Sequence, residues 1–440
     1  TITSLSGAGA VNLNSYTLTL GNANGTYSGV MSGTGGLTLT AGTLTLSGTN
    51  TYTGATTING GTLNITNNSG LGATTGTVRV SSGATLDLQG VTVGANPMTL
   101  AGGTLKDASS SFAGAITLTA DSTISVTNAT DAFTLSGVIS GAGYGVTIGG
   151  SGTVVLTGAN TYSGTTTINS GSTLNLSGSG SIANSAVSNT GTFSISGTSS
   201  GASVVNLTGA GSTVLGAKTL TISNANGTYS GVMSGTGGLT LSAGTLTLAG
   251  LSTYSSGVVI NGGTLKFGAN STFNCGVLSA SACSSGNTIP YSGPVGVGIV
   301  TINGGGALDL NGNGSNFASY STGLFYNPIV MSGTNATALT QAVLTNSSTS
   351  YNAGAYGQIT LNPIAATTGT LTNVIVQPNG AAIILGGKIT DGAVNGSNVN
   401  YSGLQIGQGS AGTVTFANGT NDYAGATTIS GATLKMGNTS

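Results

Sequence analysis

The sequence has no histidine, glutamate or tryptophan, and only 3% of its 440 residues are charged. Six lysine and arginine side chains are too few to neutralise a phosphate backbone, so we expect no nucleic-acid partner. Without histidine the chain lacks the commonest general base and the commonest metal ligand. Its seven acids are scattered aspartates, whereas glycosidases need acids in close pairs. We therefore predict that the protein is not an enzyme and has no cofactor or metal.

Long apolar runs are also absent. Glycine and hydroxyl residues interrupt every apolar stretch well short of the roughly 18 residues that a membrane-spanning helix needs, so we expect no membrane span. The scarcity of charge removes most repulsion between molecules and favours self-association. Chains with as many as 79 glycines are often disordered. Disorder is the weaker interpretation here, because the Leu, Ile and Val residues recur at regular positions.

Cysteine is almost absent, with only Cys275 and Cys283, both in one proline-containing segment. A disulfide between these two residues would suit an oxidising, extracellular setting. Two free buried thiols are the alternative. We favour the disulfide and, with it, an extracellular or cell-surface location.

What the sequence does contain is a short alternation of aliphatic and hydroxyl residues between glycine-rich corners. The tripeptide Leu-Thr-Leu at 37–39 and at 44–46 has the two-residue period of a strand with one buried face. Glycine pairs such as 60–61 punctuate these segments where tight corners need positive φ angles. No window favours helix, because β-branched threonine is abundant throughout.

One long segment is duplicated. Residues 22–48 return as residues 224–250 with two differences, Thr40/Ser242 and Ser47/Ala249. Such a duplication indicates an array of one supersecondary unit. Sandwiches and barrels close on a fixed strand number, whereas a solenoid adds turns that contact only their neighbours. We therefore predict an all-β parallel β-helix with on the order of 20 turns, if each turn takes roughly 20 residues.

The repeat pattern predicts three regions: β-solenoid at 1–267, an irregular insertion at 268–365, and β-solenoid again at 366–440. The insertion holds both cysteines, most of the prolines and a cluster of aromatic residues. Loops that leave a scaffold often carry function, and exposed aromatic rings favour contacts with a partner or a glycan. The alternative, at least as well supported, is that these rings pad the side of the solenoid. The candidate partner contacts are Tyr291, Tyr320, Phe325, Tyr326, Tyr351 and Tyr356.

A second signature occurs four times, at residues 42–65, 152–176, 244–267 and 412–436. Its core is Asn-Thr-Tyr-Ser/Thr-Gly, followed by Thr-Ile-Asn-Gly-Gly-Thr-Leu. This signature resembles the autotransporter-associated β-strand repeat, a module of bacterial autotransporter passengers. The resemblance implies a right-handed parallel β-helix that is exported to the cell surface and a scaffold without catalytic residues. The chain stops at Ser440 without the alternating strands of a membrane barrel, so we expect a cleaved passenger fragment or a secreted protein that carries the repeat.

Aspartates are the remaining candidates for chemistry. Residues 309–314, DLNGNG, imitate the start of a calcium loop, but Tyr320 stands at the twelfth position, where glutamate belongs. We expect Asp309, like Asp87 in the matching strand, to be the outward residue between two buried leucines. Lys106 and Asp107 are the only opposite charges side by side, and adjacent strand residues point to opposite faces.

Tyrosines fall at the same point of each repeat unit. One interpretation is that they form a ladder on the surface that binds a partner. The other is that they are structural padding. We favour padding, with the rings stacked along one edge. The residues concerned are Tyr27, Tyr52, Tyr162, Tyr229, Tyr254 and Tyr423.

Two functions remain open. The chain starts and ends out of phase with its repeat, which predicts two uncapped turns with unpaired backbone groups. Stacking the last turn of one molecule on the first turn of the next would satisfy those groups and build a filament; the alternative is that the ends are arbitrary boundaries. Our leading expectation is a structural subunit of an extracellular bacterial fibre or surface layer whose partner is itself. The alternative is an autotransporter-like adhesin that binds a glycan or host surface through the aromatic insertion.

Overall fold

The protein is all-β. A computed structural model describes residues 1–269, 292–312, 327–332, 341–362, 364–365, 372–391, 399–400, 403–408 and 411–437, and these residues contain strands and turns but no helix. The strands stack in parallel into a β-solenoid of about 18 turns, which confirms the predicted fold class. Within the described ranges, no helix is long and apolar enough to cross a membrane. The chain forms two compact units, the first unit at Thr1–Val205 and the second unit at Asn206–Ser440.

The first unit is built from short strands, most of them of two to five residues. In chain order they are β1 (Val11–Asn12), β2 (Leu18–Leu20), β3 (Ala23–Tyr27), β4 (Met31–Ser32), β5 (Leu37–Leu39), β6 (Gly42–Leu46), β7 (Thr56–Ile58), β8 (Gly61–Ile65), β9 (Val78–Ser81), β10 (Ala84–Leu88), β11 (Thr92–Val93), β12 (Met98–Ala101), β13 (Thr104–Asp107), β14 (Ser111–Phe112), β15 (Ile116–Ala120), β16 (Ser122–Val126), β17 (Ala132–Leu135), β18 (Ile139–Ser140), β19 (Val146–Gly150), β20 (Thr153–Leu156), β21 (Thr166–Ile168), β22 (Thr173–Gly178), β23 (Val187–Asn189), β24 (Thr192–Thr198) and β25 (Ala202–Val204).

Three long parallel sheets run through the first unit, and each turn of the chain adds a strand to them. Their strand orders are β2-β5-β7-β9-β12-β15-β18, then β3-β6-β8-β10-β13-β16-β19-β21-β23, and β11-β14-β17-β20-β22-β24, beside the short pair β1-β4. The pairing is in register apart from shifts next to Ala101 and Ser177, so equivalent residues of successive turns form columns. Leu39 pairs with Ile58, and Ile58 pairs with Val80, all fully buried. Burial of each such side chain contributes about 1.5–3 kcal/mol.

The second unit uses the same kind of strand. Its strands are β26 (Leu207–Thr208), β27 (Ser212–Gly216), β28 (Thr219–Ile222), β29 (Ala225–Tyr229), β30 (Met233–Gly235), β31 (Gly238–Leu241), β32 (Gly244–Leu248), β33 (Val258–Ile260), β34 (Gly263–Phe267), β35 (Val300–Asn303), β36 (Gly306–Asp309), β37 (Ile329–Ser332), β38 (Ala342–Asn346), β39 (Ala353–Ala355), β40 (Ile359–Asn362), β41 (Ile364–Ala365), β42 (Thr372–Pro378), β43 (Ile383–Leu385), β44 (Ile389–Asp391), β45 (Val399–Asn400), β46 (Gly403–Ile406), β47 (Thr413–Phe416), β48 (Thr427–Ile429) and β49 (Thr433–Met436).

Parallel stacking continues through the second unit. Its sheets have the orders β28-β31-β33-β35-β37-β40-β44, then β29-β32-β34-β36-β38-β42-β46-β48, and β39-β43-β47-β49. Only β41 and β45 pair in an antiparallel manner among its described strands. The predicted insertion, 268–365, thus contributes strands β35 to β41 among its described residues. The predicted boundaries of the three regions remain a prediction.

The leucine–threonine alternation sorts side chains to the two faces of each sheet. In β6, Leu44 and Leu46 face the core and are fully buried, while Thr43 is exposed and Thr45 half-buried. Successive turns keep this order, so threonines line up on the outside, from Thr43 to Thr62 and onward. Glycine is required at the corners, because Gly61 has a φ of 74° and a Cβ there would lie 2.1 Å from the carbonyl oxygen of Gly42.

Candidate functional site

The repeat signature places a buried asparagine at a corner between strands. Asn50 Oδ1 accepts a hydrogen bond from Met31 N–H at 2.9 Å, one turn earlier in the chain. Asn50 Nδ2 donates to the carbonyl of Gly70 at 2.8 Å, one turn later. Asn160 makes the corresponding bonds to both neighbouring turns in the second copy. The asparagine therefore supplies inter-turn hydrogen bonds where the chain leaves the strand ladder.

The tyrosine of the signature is buried, and its hydroxyl bonds to a threonine four residues later. Tyr52 lies 2.7 Å from Thr56 Oγ1, and Tyr162 lies 2.7 Å from Thr166 Oγ1. Burial raises the pKa of each phenol to about 12, although the threonine bond lowers it in part. The rings of Tyr27, Tyr52, Tyr162, Tyr229 and Tyr254 are at most 1% exposed, and Tyr423 is half-buried. These tyrosines are packing residues, as we predicted.

The tyrosines do not stack on one another along one edge, so that part of the prediction is wrong. Tyr27 is in register with Leu46, and Tyr229 with Leu248. The reason is that copies of the signature occupy different sheets. Strand β7 of the first copy lies between β5 and β9, whereas β21 of the second copy lies between β19 and β23.

The third copy of the signature lacks two of these polar groups. Ser252 stands at the asparagine position and accepts a hydrogen bond from Met233 N–H at 3.0 Å. Val258 stands at the threonine position. Tyr254 is fully buried, and its hydroxyl has no hydrogen-bond partner among the described residues. Burial alone raises the pKa of Tyr254.

Asp87 forms an ion pair that sequence adjacency does not reveal. The register places Asp87 opposite Lys106 on the neighbouring strand, and Lys106 Nζ lies 2.8 Å from Asp87 Oδ2. The comparison of Lys106 with Asp107 missed this pair. The available signal was the separation of 19 residues, which is one turn of the solenoid. Asp87 does lie on the outer face in register with Asn64, as expected, but it is only 4% exposed.

Asp309 occupies the matching outer position of the second unit and is also 4% exposed. Its Oδ1 accepts hydrogen bonds from Asn311 N–H and Ser347 N–H, both at 2.9 Å. Lys266 Nζ lies 3.8 Å from its Oδ2. Protein donors thus already occupy this carboxylate, which argues against the calcium loop. Residues 313–320 of the imitated loop lie outside the described residues. Among the described side chains, no group of three or more acids or cysteines forms a metal cluster.

Asp107 is a carboxyl group inside the core. It stacks between Leu88 and Val126 in the inner column and is 0% exposed. Ser110 N–H donates to its Oδ2 at 2.6 Å, while its Oδ1 has no partner within the described chain. Burial raises the pKa of Asp107, although the Ser110 and Ala108 hydrogen bonds lower it in part. The two-residue period of the strand is the signal that could have revealed this burial, since Asp107 lies two residues after the buried Leu105.

Most of the predicted partner contacts lie outside the described residues: Tyr291, Tyr320, Phe325 and Tyr326, together with the predicted disulfide of Cys275 and Cys283. Of the two that are described, Tyr351 is 69% exposed and Tyr356 is half-buried. The partner role of all six aromatic residues, and the disulfide, remain predictions.

The last described turn presents an open strand edge. On β48 and β49, Ile429 is 52% exposed and Met436 is 65% exposed. Their register with Ile406 and Phe416 places both in inner columns. The same positions of the three earlier copies are at most 2% exposed: Ile58, Ile168 and Ile260 for the first, and Ile65, Leu176 and Phe267 for the second.

Sequence comparison identifies the repeated segments. The passenger-associated-transport-repeat family matches the chain at residues 41–65, 149–176, 242–267 and 408–436. These are the four copies of the signature described above. No curated protein and no solved structure matches the chain.

Proposed function

We propose that the protein is a non-catalytic structural subunit that assembles end to end outside the cell. The four passenger-associated-transport repeats and the β-solenoid fit an autotransporter passenger-like β-helix protein. The repeats themselves indicate a secreted or surface protein. What supports the assembly is the parallel stacking of equivalent turns, each of which can receive a further turn, in a chain with only 3% charged residues.

Each of the three earlier copies of the repeat receives a further parallel strand. Strand β8 of the first copy pairs with β10, β22 of the second with β24, and β34 of the third with β36. Among the described residues, no strand pairs with the far side of β48 or β49. A further turn there would bury Ile429 and Met436, at about 1.5–3 kcal/mol each, and satisfy the free backbone groups of the edge. Lys435 is the one charged residue in these two strands, so repulsion between molecules is weak.

The test is negative-stain electron microscopy and sedimentation of the 440-residue chain at neutral pH without an added partner. We expect filaments whose amount rises with protein concentration. The double substitution Ile429→Lys/Met436→Lys places charge in the inner columns of the open edge and should abolish them. Thr428→Lys/Thr433→Lys is the matched control, because it adds the same two charges on the same two strands but on the outer face. Isolated particles at every concentration would contradict the proposal.

The exposed ring of Tyr351 supports a second candidate function, an adhesin that binds a glycan or cell surface through the predicted insertion. Large exposed aromatic rings are common in such contacts. Under this proposal the chain stays monomeric and binds glycans on an array, and Tyr351→Ala weakens the binding. Tyr16→Ala is the control, because Tyr16 is 76% exposed but lies outside the insertion. Equal binding by both variants would count against the adhesin.

A further inference from the structure

Two corners of the solenoid contain an asparagine that is followed by a glycine. In the first copy of the signature, the exposed Asn59 precedes Gly60 between β7 and β8. In the third copy, the exposed Asn261 precedes Gly262 between β33 and β34. Because glycine has no Cβ, its amide nitrogen approaches the side-chain carbonyl carbon of the preceding asparagine without hindrance. Each corner therefore holds a nucleophile beside an electrophile.

The peptide group between the asparagine and the glycine is not held by the strand ladder at either corner. The asparagine N–H is bound to the previous turn, since Asn59 N–H donates to the Leu39 carbonyl and Asn261 N–H to the Leu241 carbonyl, both at 2.8 Å. Both glycines lie outside the strands, and neither glycine N–H has an acceptor among the described residues. The peptide plane after each asparagine can therefore turn without breaking a hydrogen bond.

The next turn donates a hydrogen bond to the side-chain oxygen of each asparagine. Ser81 Oγ donates to Asn59 Oδ1 at 3.2 Å, and Asn303 Nδ2 donates to Asn261 Oδ1 at 2.7 Å. When a nitrogen attacks the amide carbon, negative charge develops on this oxygen, and a donor placed there stabilises that charge. Both corners thus combine an unhindered nucleophile with a polarised carbonyl group.

We propose that Asn59 and Asn261 are sites of intramolecular deamidation. The nitrogen of the following glycine gives its proton to solvent and bonds to the asparagine Cγ. The bond from Cγ to Nδ2 then breaks, and the nitrogen takes a proton from solvent and leaves as ammonia. Water opens the cyclic imide to aspartate or isoaspartate, so each corner takes up one water and releases one ammonia without an oxidant or a cofactor.

Either product changes the solenoid at its corner. Aspartate keeps an oxygen that accepts the hydrogen bond from the next turn, but it adds a negative charge to a chain whose formal net charge is −1 at pH 7. Isoaspartate also lengthens the backbone by one carbon atom. The corner of the first copy has no room for that atom, because even a Cβ on Gly60 would lie 2.5 Å from the Thr40 carbonyl oxygen. We expect isoaspartate there to loosen the stacking of β8 on the previous turn.

The chain contains two internal controls. Asn226 is exposed and precedes Gly227, but both residues lie within β29, in register with β32. The backbone N–H and carbonyl of Asn226 also bond to the side chain of Asn206, at 3.0 and 2.9 Å, so the ladder and this side chain hold the peptide groups. Asn169 of the second copy is exposed at a corner but precedes Ser170, whose side chain hinders ring closure. We expect both asparagines to react more slowly.

The test is peptide mapping by mass spectrometry of the full chain, sampled over time in mildly alkaline buffer and digested at acidic pH, where the reaction is slow. Asn59 and Asn261 should convert first, each to aspartate and isoaspartate. Ser170→Gly should accelerate conversion at Asn169, because it removes the hindering side chain. Ser81→Ala should slow Asn59 and leave Asn261 unchanged as the reference. A sample kept in urea shows the rates without the fold.

The outcomes distinguish the corners from the dipeptide alone. Faster conversion at Asn59 and Asn261 than at Asn226 in the folded chain, with similar rates at all three in urea, supports the inference. Equally fast conversion at Asn226 in the folded chain would overturn it, because the strand ladder would then give no protection. Conversion of Asn59 and Asn261 only in urea would also overturn it, since the folded corners would then prevent ring closure.

Discussion

In the first two copies of the repeat, both in the first unit, the tyrosine completes its buried hydrogen bond, whereas the tyrosine of the third copy, in the second unit, does not. In the first copy, Asn50 spans three turns and Tyr52 bonds to Thr56. In the third copy, the tyrosine hydroxyl is left without a partner among the described residues. The comparison shows that the tyrosine and the threonine form one buried pair, while the asparagine separately bonds to the neighbouring turns. When valine replaces the threonine, the hydroxyl of the tyrosine four residues earlier stays buried without a hydrogen bond, and this lowers the stability of the fold.

Removing the asparagine of the signature in the first unit should have the largest effect. Asn160→Ala leaves Ile139 N–H without its acceptor and removes the side-chain donor to the Gly158 and Ser181 carbonyls, although the Ser181 carbonyl keeps the backbone N–H of residue 160. We expect a loss of about 2–5 kcal/mol. Ser252→Ala removes one such bond and should cost about 1–3 kcal/mol. Urea unfolding measures both losses, and amide exchange at Ile139 localises the first. Exposed Asn169→Ala is the control, and equal losses for Asn160→Ala and Ser252→Ala would contradict the comparison.

Removing the lysine of an ion pair should destabilise the protein more in the first unit than in the second unit. Lys106→Met leaves the buried carboxylate of Asp87 without a cation, and because Lys106 is 38% exposed we expect a screened loss of about 1–2 kcal/mol. Lys266→Met should cost less, because Asp309 keeps two backbone donors.

Urea midpoints measure these losses. The double variant Asp87→Asn/Lys106→Met should recover part of the stability, because no buried charge remains in it. If Lys266→Met costs as much as Lys106→Met, the backbone donors of Asp309 do not compensate for its lysine.

Restoring the missing threonine should make the third copy resemble the first. Val258→Thr gives the Tyr254 hydroxyl a partner, and we expect a gain of about 1 kcal/mol. Thr56→Val should cost about the same in the first copy, because it removes the partner of Tyr52. Thermal unfolding of both variants measures the changes, and a loss of stability in Val258→Thr would show that the site has no room for the hydroxyl bond.

Much of the fold follows from the sequence because the governing interactions are local or periodic. The Leu-Thr alternation sets which side chains are buried, and the duplication requires a structure that adds equivalent turns. Contacts between turns are different, since they depend on register. Lys106 and Asp87 meet only because β10 and β13 pair without a shift, and no local sequence pattern predicts that register.

Local sequence patterns also do not predict how exposed a residue is at the edge of a sheet or under a covering segment. Ile429 has the same place in its repeat as Ile58, yet one is 52% exposed and the other 0%. The difference in exposure comes from whether another strand stacks on the residue, and not from the sequence of the repeat. In the outer column of the second unit, Thr264 is followed by Ala307, Val343 and then Ile375, which is 1% exposed. An outer position that is covered no longer favours a hydroxyl side chain.

The smallest effect is expected at Asp107, and its sign depends on pH. Because burial raises the pKa of Asp107 above its ordinary 3.8, the folded chain holds a proton that the unfolded chain has released at pH values between 3.8 and the raised pKa. Stability from this group is therefore complete below the ordinary pKa and is lost as pH rises through the folded pKa. Asp107→Asn carries no charge and keeps an acceptor for Ser110 N–H, so it should be more stable than the parent at neutral pH.

We expect this gain to be below about 1 kcal/mol, because the new amide NH₂ enters the side of the residue where Oδ1 had no partner. The gain should shrink as pH falls towards 4. Asp309→Asn in the second unit should have the opposite sign at neutral pH, because that carboxylate accepts two backbone N–H bonds and lies beside Lys266. Urea midpoints measured across this pH range test the pH dependence of the gain. Parallel pH profiles for the parent and Asp107→Asn would mean that Asp107 is ionised in the folded core over this range.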